Sequence, residues 1–105
     1  MATDAIVVMV TAPSEAEAAA IANHLIQHQL AACISIFPVS SVYTWSNQVH
    51  RDQEWQLMIK TQQETFPALE QAVQELHTYD VPEVIALPVV AGSLTYLNWI
   101  SDQVN

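Results

Sequence analysis

The sequence predicts an α+β domain on a split βαβ plan, ordered β-α-β-β-α-β with one more helix at the end. Three observations carry that expectation. Strand-like apolar runs alternate with stretches in which apolar residues recur every three or four positions. Two long strand-like runs meet at a Ser46-Asn47-Gln48 cluster with no helix between them. Each helical stretch opens on a serine, threonine or proline start signal.

Residues 5–11 (AIVVMVT) form a continuous Ile- and Val-rich run, as expected of a strand central in its sheet. Ala12-Pro13 ends it. Ser14 then serves as N-cap, and Glu17 three positions on makes a capping box. Ala18, Ile21, Ala22 and Leu25 fall at i, i+3, i+4 and i+7 and face the core, with the helix ending near residues 27–29. Residues 31–39 read as the next strand, where Pro38 fits only at a bulge, bend or edge. Residues 41–45 and 49–61 make a long hairpin around the 46–48 turn. On its return limb Trp55, Leu57 and Ile59 alternate with Glu54, Gln56, Met58 and Lys60, so one face is apolar.

Gln62-Gln63-Glu64 marks a loop. Thr65 or Phe66 caps the second helix, with Pro67 at its first position, where a missing N–H costs nothing. Phe66, Leu69, Val73 and Leu76 form its apolar stripe. His77 falls in the last turn, where the helix dipole favours an imidazolium. Residues 78–82 form a loop, and 84–90 a fourth strand that Pro88 marks as an edge or bulge. Ala91-Gly92 turns the chain, and Ser93 caps a closing helix with Leu94, Leu97, Ile100 and Val104 on one face. The order is ferredoxin-like: four antiparallel strands with two helices on one face. Residues 1–105 read as a single domain, without repeats or low-complexity tracts.

Composition narrows the function. The chain is 51% hydrophobic and only 12% charged, where ordinary domains carry about a quarter charged residues. So small a domain has much surface per volume, and self-association is the natural outlet for the surplus apolar residues. Eleven acidic residues face only Lys60 and Arg51, for a formal charge of -9. That surface repels phosphate backbones and anionic membranes and attracts cations, divalent metals included. Cys33 is the only cysteine, so no intrachain disulfide forms, and a reducing compartment is expected. No basic leader and no membrane-spanning run is present, so a cytoplasmic protein is expected.

A set of short motifs runs in order along nearly the whole chain. Thr11-x-Pro13 follows the first strand, Leu30-Ala31-Ala32-Cys33 opens the second, and Tyr43-x-Trp45 stands at the hairpin. Glu54 and Lys60-Thr61 come next, then His77-x-Tyr79-x-x-Pro82-Glu83, Leu87-Pro88 and Tyr96-Leu97-x-Trp99. In these the sequence resembles the CutA family of divalent-ion tolerance proteins. The resemblance implies a ferredoxin-like protomer assembled into a compact homotrimer whose long hairpins pair across subunits. It also implies a part in tolerance of copper and other divalent ions, and an architecture similar to the nitrogen-regulatory PII proteins. Two departures stand out. Asn47 occupies a turn position where the family usually has Gly, and Asn tolerates the left-handed backbone. Thr78 stands where the family favours Pro, which is expected to loosen that loop.

The candidate metal ligands are Cys33 and His77. A soft thiolate at Cys33 would favour Cu(I), although a small cysteine in an Ala-Ala-Cys-Ile strand equally suits a core position. His24 and His28 stand at i, i+4, but as a pair they read better as solvated helix positions. Glu54, Lys60, His77, Tyr79 and Glu83 are expected at a subunit boundary, either as structural ion pairs or as a polar cleft for a ligand or proton. Tyr43, Trp45, Trp55, Tyr96 and Trp99 read as interface and core anchors. A base-stacking platform would need positive charge that the chain lacks.

Three readings follow. The first is a non-enzymatic, cytoplasmic homotrimer that binds divalent cations, copper foremost, requires no cofactor and contributes to metal tolerance. The second is a signalling or scaffold trimer whose clefts take a small ligand or partner protein. The third is a small enzyme that uses His77 or Tyr79 for proton transfer.

Overall fold

The computed structural model describes residues 3–104. In chain order it contains β1 (Ala5–Ala12), α1 (Glu15–Gln27), β2 (Cys33–Trp45), β3 (Gln48–Gln62), α2 (Phe66–Leu76), β4 (Ile85–Pro88) and α3 (Leu94–Gln103). The four strands form one antiparallel sheet in the order β2-β3-β1-β4, the arrangement expected from the element order.

β1 is central because it can be buried on both sides. Ile6, Val8, Val10 and Ala12 face the two-helix layer, with Val8 opposite Ile59 and Val10 opposite Leu57. Ala18, Ile21, Ala22 and Leu25 of α1 and Leu69 and Val73 of α2 close over them. At ~25 cal/mol per Å² of apolar surface, this cluster dominates the stability of the single chain. Cys33, Lys60 and Val7 lie side by side in the sheet, one residue out of phase with that core. α3 packs on their face and places Tyr96 against Cys33, so the two faces of the sheet carry different helices.

α1 starts as expected, with the Ser14 hydroxyl accepting from the Glu17 N–H at 3.1 Å. The Glu17 carboxylate, however, turns to residues near the end of α2 (below). α1 stops because Gln29 adopts φ 57°, letting the Leu30 N–H reach the Leu25 carbonyl at 2.9 Å. This closure usually uses glycine.

The hairpin is longer than the sequence suggests. β2 begins at Cys33 and runs unbroken through Pro38 to Trp45, paired with β3 from Cys33↔Lys60 to Trp45↔Gln48. Pro38 is tolerated because β2 is an edge strand and needs no ladder bond on its outer side. A two-residue turn joins the strands, with Ser46 at φ 53° and Asn47 at φ 61°. Positive φ at both positions matches the right-handed twist of the strands, and Asn47 fills its place without glycine.

Three other expectations change. Residues 63–65 form a short 3-10 turn where a loop was expected, and Thr65 precedes α2 without a side-chain capping bond. Leu76 is exposed, so the buried stripe of α2 narrows to Leu69 and Val73, flanked by Phe66. β4 is four residues long, with Ile85 and Leu87 about half exposed, and ends at Pro88 on the sheet's second edge. Gly92 has no left-handed backbone. Its missing side chain instead admits Leu97, which would lie 3.2 Å from a Cβ there.

Candidate functional site

The outer half of the hairpin projects beyond the helix layer, and the chain measures 44 × 26 × 22 Å. Beneath the projection, residues 78–83 fold across the sheet just past the end of β1. Between this segment and the hairpin lies an open groove of about 690 Å³, lined by Ser41, Tyr43, Trp45, Glu54, Tyr79 and Glu83 among others. Neither Lys nor Arg lines it, whereas Glu54, Asp80 and Glu83 all do.

Glu54 departs from simple strand alternation. Pairing of β1 with β3 ends at Ala12↔Trp55, so Glu54 stands just beyond the covered sheet. The 78–83 segment crosses at that point and leaves Glu54 only 6% exposed. The Tyr79 hydroxyl donates to its carboxylate at 2.9 Å. Burial, then this hydrogen bond and the negative charge of Glu54, push the Tyr79 phenol far above its ordinary value, so it stays protonated. One turn of the pleat outward, the Tyr43 hydroxyl donates to Asp52, and that bond raises the Tyr43 phenol as well. The groove floor thus carries one buried carboxylate, Glu54, held by a tyrosine, while Asp52, held by Tyr43, stands outside the lining on the exposed hairpin. Glu83 accepts from the Gln56 amide at 3.2 Å, and Gln56 also donates to the Val10 carbonyl at 3.0 Å.

His77 ends α2 with an extended backbone (φ -79°, ψ 144°), and its side chain is sealed from solvent. Nε2 lies 2.6 Å from the Thr11 carbonyl, and the Tyr79 N–H donates to Nδ1 at 3.1 Å. A carbonyl can only accept and an amide can only donate, which assigns a neutral ring with its proton on Nε2. The expected dipole-stabilised imidazolium is not what this geometry holds. Both ring nitrogens are engaged, leaving no lone pair for a metal ion. Glu17 Oε2 stands 3.4 Å from Nδ1, and the same carboxylate accepts from the Thr78 N–H at 3.3 Å and hydroxyl at 2.9 Å. Thr78 therefore ties the loop to α1, the reverse of the expected loosening. Proline there would lack the N–H.

The expected polar cluster divides. Glu54, Tyr79, Glu83 and His77 gather around the 78–83 segment. Lys60 lies six residues along β3 from Glu54, roughly 20 Å away, and donates to Ser35 at 2.9 Å. Cys33 pairs with Lys60 across the strands and contacts Tyr96, far from His77. Among the described residues no group of three or more His, Cys, Asp or Glu side chains could hold a metal ion. His24 and His28 stack face to face at 4.0 Å, with His28 Nδ1 2.9 Å from the His24 carbonyl, instead of converging on a point.

The apolar anchors are largely uncovered. Val42, Trp45 and Val49 on the hairpin are 64%, 50% and 66% exposed, and Tyr43, Ile85, Leu94, Tyr96 and Trp99 are also open to solvent. Trp99 stands 5.6 Å from Tyr96 on α3. The sequence pointed to Tyr43, Trp45, Tyr96 and Trp99 as anchors, but not to Val42, Val49 or Ile85, nor to the Glu17–Thr78–His77 junction. Its partners lie 61 residues apart, and no local pattern marks them.

Comparison with known proteins agrees with this geometry. Residues 6–103 match the family described as CutA1 divalent ion tolerance protein. The divalent-cation tolerance protein CutA of Thermus thermophilus is 44% identical over 97 residues, covering 91% of this chain and 94% of its own. The chloroplastic protein CutA of Arabidopsis thaliana is 46% identical over 92% of this chain, which spans only 54% of the plant protein's length. Among solved structures, CutA1 from Oryza sativa superposes with a TM-score of 0.95 at 42% identity, covering 99% of this chain and 96% of that one. The periplasmic divalent cation tolerance protein CutA from Archaeoglobus fulgidus gives 0.94 at 34% identity, covering 96% and 99%. No helix among the described residues is long and apolar enough to cross a membrane. The chain belongs to the CutA1 divalent ion tolerance family.

Proposed function

We propose that this chain works as a homotrimer that captures divalent cations, copper foremost, and so contributes to divalent-ion tolerance without catalysing a reaction. The observation that carries this reading is the groove, framed by carboxylates without a single basic residue in its lining. Such a concavity focuses negative potential and concentrates cations. Among the described residues one copy offers no complete ligand set, so the cation is held where the rim carboxylates Asp80 and Glu83 meet donors from a neighbouring copy. The uncovered hairpin and α3 apolar residues are the surface that brings copies together. A cytoplasmic setting suits the single unpaired Cys33.

Calorimetric titration with Cu(II) tests this. Saturable uptake that weakens at least tenfold in Asp80→Asn/Glu83→Gln supports the groove. Uptake unchanged by that double substitution would assign cation binding to the general acidic surface. A second reading, a small organic ligand or partner in the same groove, is favoured by Tyr43, Trp45 and Tyr79 in its lining. It predicts a complex from lysate that survives removal of metal by chelation.

A further inference from the structure

We propose that the groove takes an organic ammonium ion, a protonated amine on an apolar body; this rests on the small-ligand reading of the groove and names the ligand's chemical class. Size points that way first. At about 690 Å³ the groove falls in the range of clefts that hold small organic molecules, and a lone metal ion would fill only a small part of it. Charge comes second. Glu54, Asp80 and Glu83 line the groove and no Lys or Arg does, so phosphates and carboxylates are repelled and cations drawn in.

The remaining walls say which cation. Tyr43, Trp45 and Tyr79 share the groove with Val42 and Val81. Aromatic faces attract ammonium groups through the ring quadrupole, and the valines offer contact to hydrocarbon. Two of the rings are open in one copy, Tyr43 at 39% and Trp45 at 50% exposure. A hydrated metal ion makes no use of such walls, whereas an amine on an apolar body uses both.

The polar frame is set in advance. The Tyr79 hydroxyl is tied to Glu54 at 2.9 Å, which holds that ring in the wall. Gln56 is anchored on the Val10 carbonyl and donates to Glu83, so this carboxylate is held as well. Groups positioned before binding cost a ligand less in ordering entropy. The molecule also carries its own control. A second concavity of about 400 Å³ is lined by Asp4, Gln63 and Glu64, acidic but without an aromatic ring. Negative charge alone would draw a cation to either place. Of the two, the groove alone joins carboxylates to aromatic and apolar walls.

Three probes of similar shape test this by NMR of the full ¹⁵N-labelled chain: phenethylammonium, uncharged phenethyl alcohol and anionic hydrocinnamate. Phenethylammonium should shift the Tyr43, Tyr79, Val81 and Glu83 amides saturably. It should bind at least about tenfold tighter than the alcohol, because hydrogen bonds to charged groups are the stronger ones. Hydrocinnamate should leave these amides still. Asp80→Asn/Glu83→Gln should bring the ammonium down to the alcohol's affinity. Tyr43→Leu should weaken it about threefold, and Tyr43→Phe, which keeps the ring, should restore it. Equal binding of ammonium and alcohol overturns the ammonium assignment and leaves a small-ligand groove standing. Equal shifts at Asp4 and Glu64 overturn it in favour of the general acidic surface. No shift from any probe overturns the small-ligand reading along with it.

Discussion

The two halves of the β2–β3 hairpin are built from similar residues and meet opposite fates. In the inner half, Leu57 and Ile59 are fully buried beneath α1 and α2. In the outer half, Val42, Trp45 and Val49 stand in solvent, although they are as apolar as their inner counterparts. The ladder is continuous across both, so the backbone does not distinguish them. What differs is cover. The inner half holds the single chain together, and the outer half is left bare in a single copy.

Substitutions can sharpen or break this contrast. The largest effect belongs to the core: Ile59→Ala should cost about 3 kcal/mol in chemical denaturation, through lost burial and the cavity left in the core beside its strand partner Val8. Val49→Ala in the outer half should move the stability of a single copy by less than about 0.5 kcal/mol. If the outer substitution cost as much in a chain shown to be monomeric, the division between halves would be wrong.

Next in size is the junction that braces the groove wall. Thr78→Pro removes both donors to Glu17, and we expect a loss of about 1–2 kcal/mol by thermal or denaturant unfolding. An unchanged or higher stability would restore the view of Thr78 as a loosening substitution.

A pH effect follows from Tyr79. Its phenol is raised above the usual 10.0 in the folded chain, so the folded state holds that proton more tightly than the unfolded one. The associated stability is fully present below about pH 10 and drains away as pH rises beyond it. Alkaline unfolding of Tyr79→Phe should lose this part of the pH dependence, which denaturation at a series of alkaline pH values will show.

The smallest effect is at the turns. Gln29→Gly should add up to about 1 kcal/mol, because glycine adopts the left-handed backbone without steric cost. Asn47→Gly should add only a few tenths of a kcal/mol, since Asn already tolerates that conformation.

Much of this architecture was legible in the sequence, for local reasons. The Ile/Val run of β1, the i, i+3, i+4 spacing of α1 and the alternation through Trp55, Leu57 and Ile59 all report on short-range periodicity. The hairpin turn was legible because Asn suits its backbone. The site was less so. Glu54 reads as an outward strand position, and only the crossing of residues 78–83 buries it. His77 reads as a helix-end position, yet its ring is sealed in place by the Thr11 carbonyl, 66 residues away, and the Tyr79 N–H. Lys60 reads as a partner for Glu54, but their separation along one strand exceeds any side chain's reach. In each case a distant segment decided the chemistry.

Self-association through the bare hairpin is tested most directly by the mass of the purified chain in solution. Light scattering at low micromolar concentration should give three copies per particle, falling to one when Trp45 and Val49 are both replaced by Asp. A wild-type chain that persists as a single folded copy would contradict it.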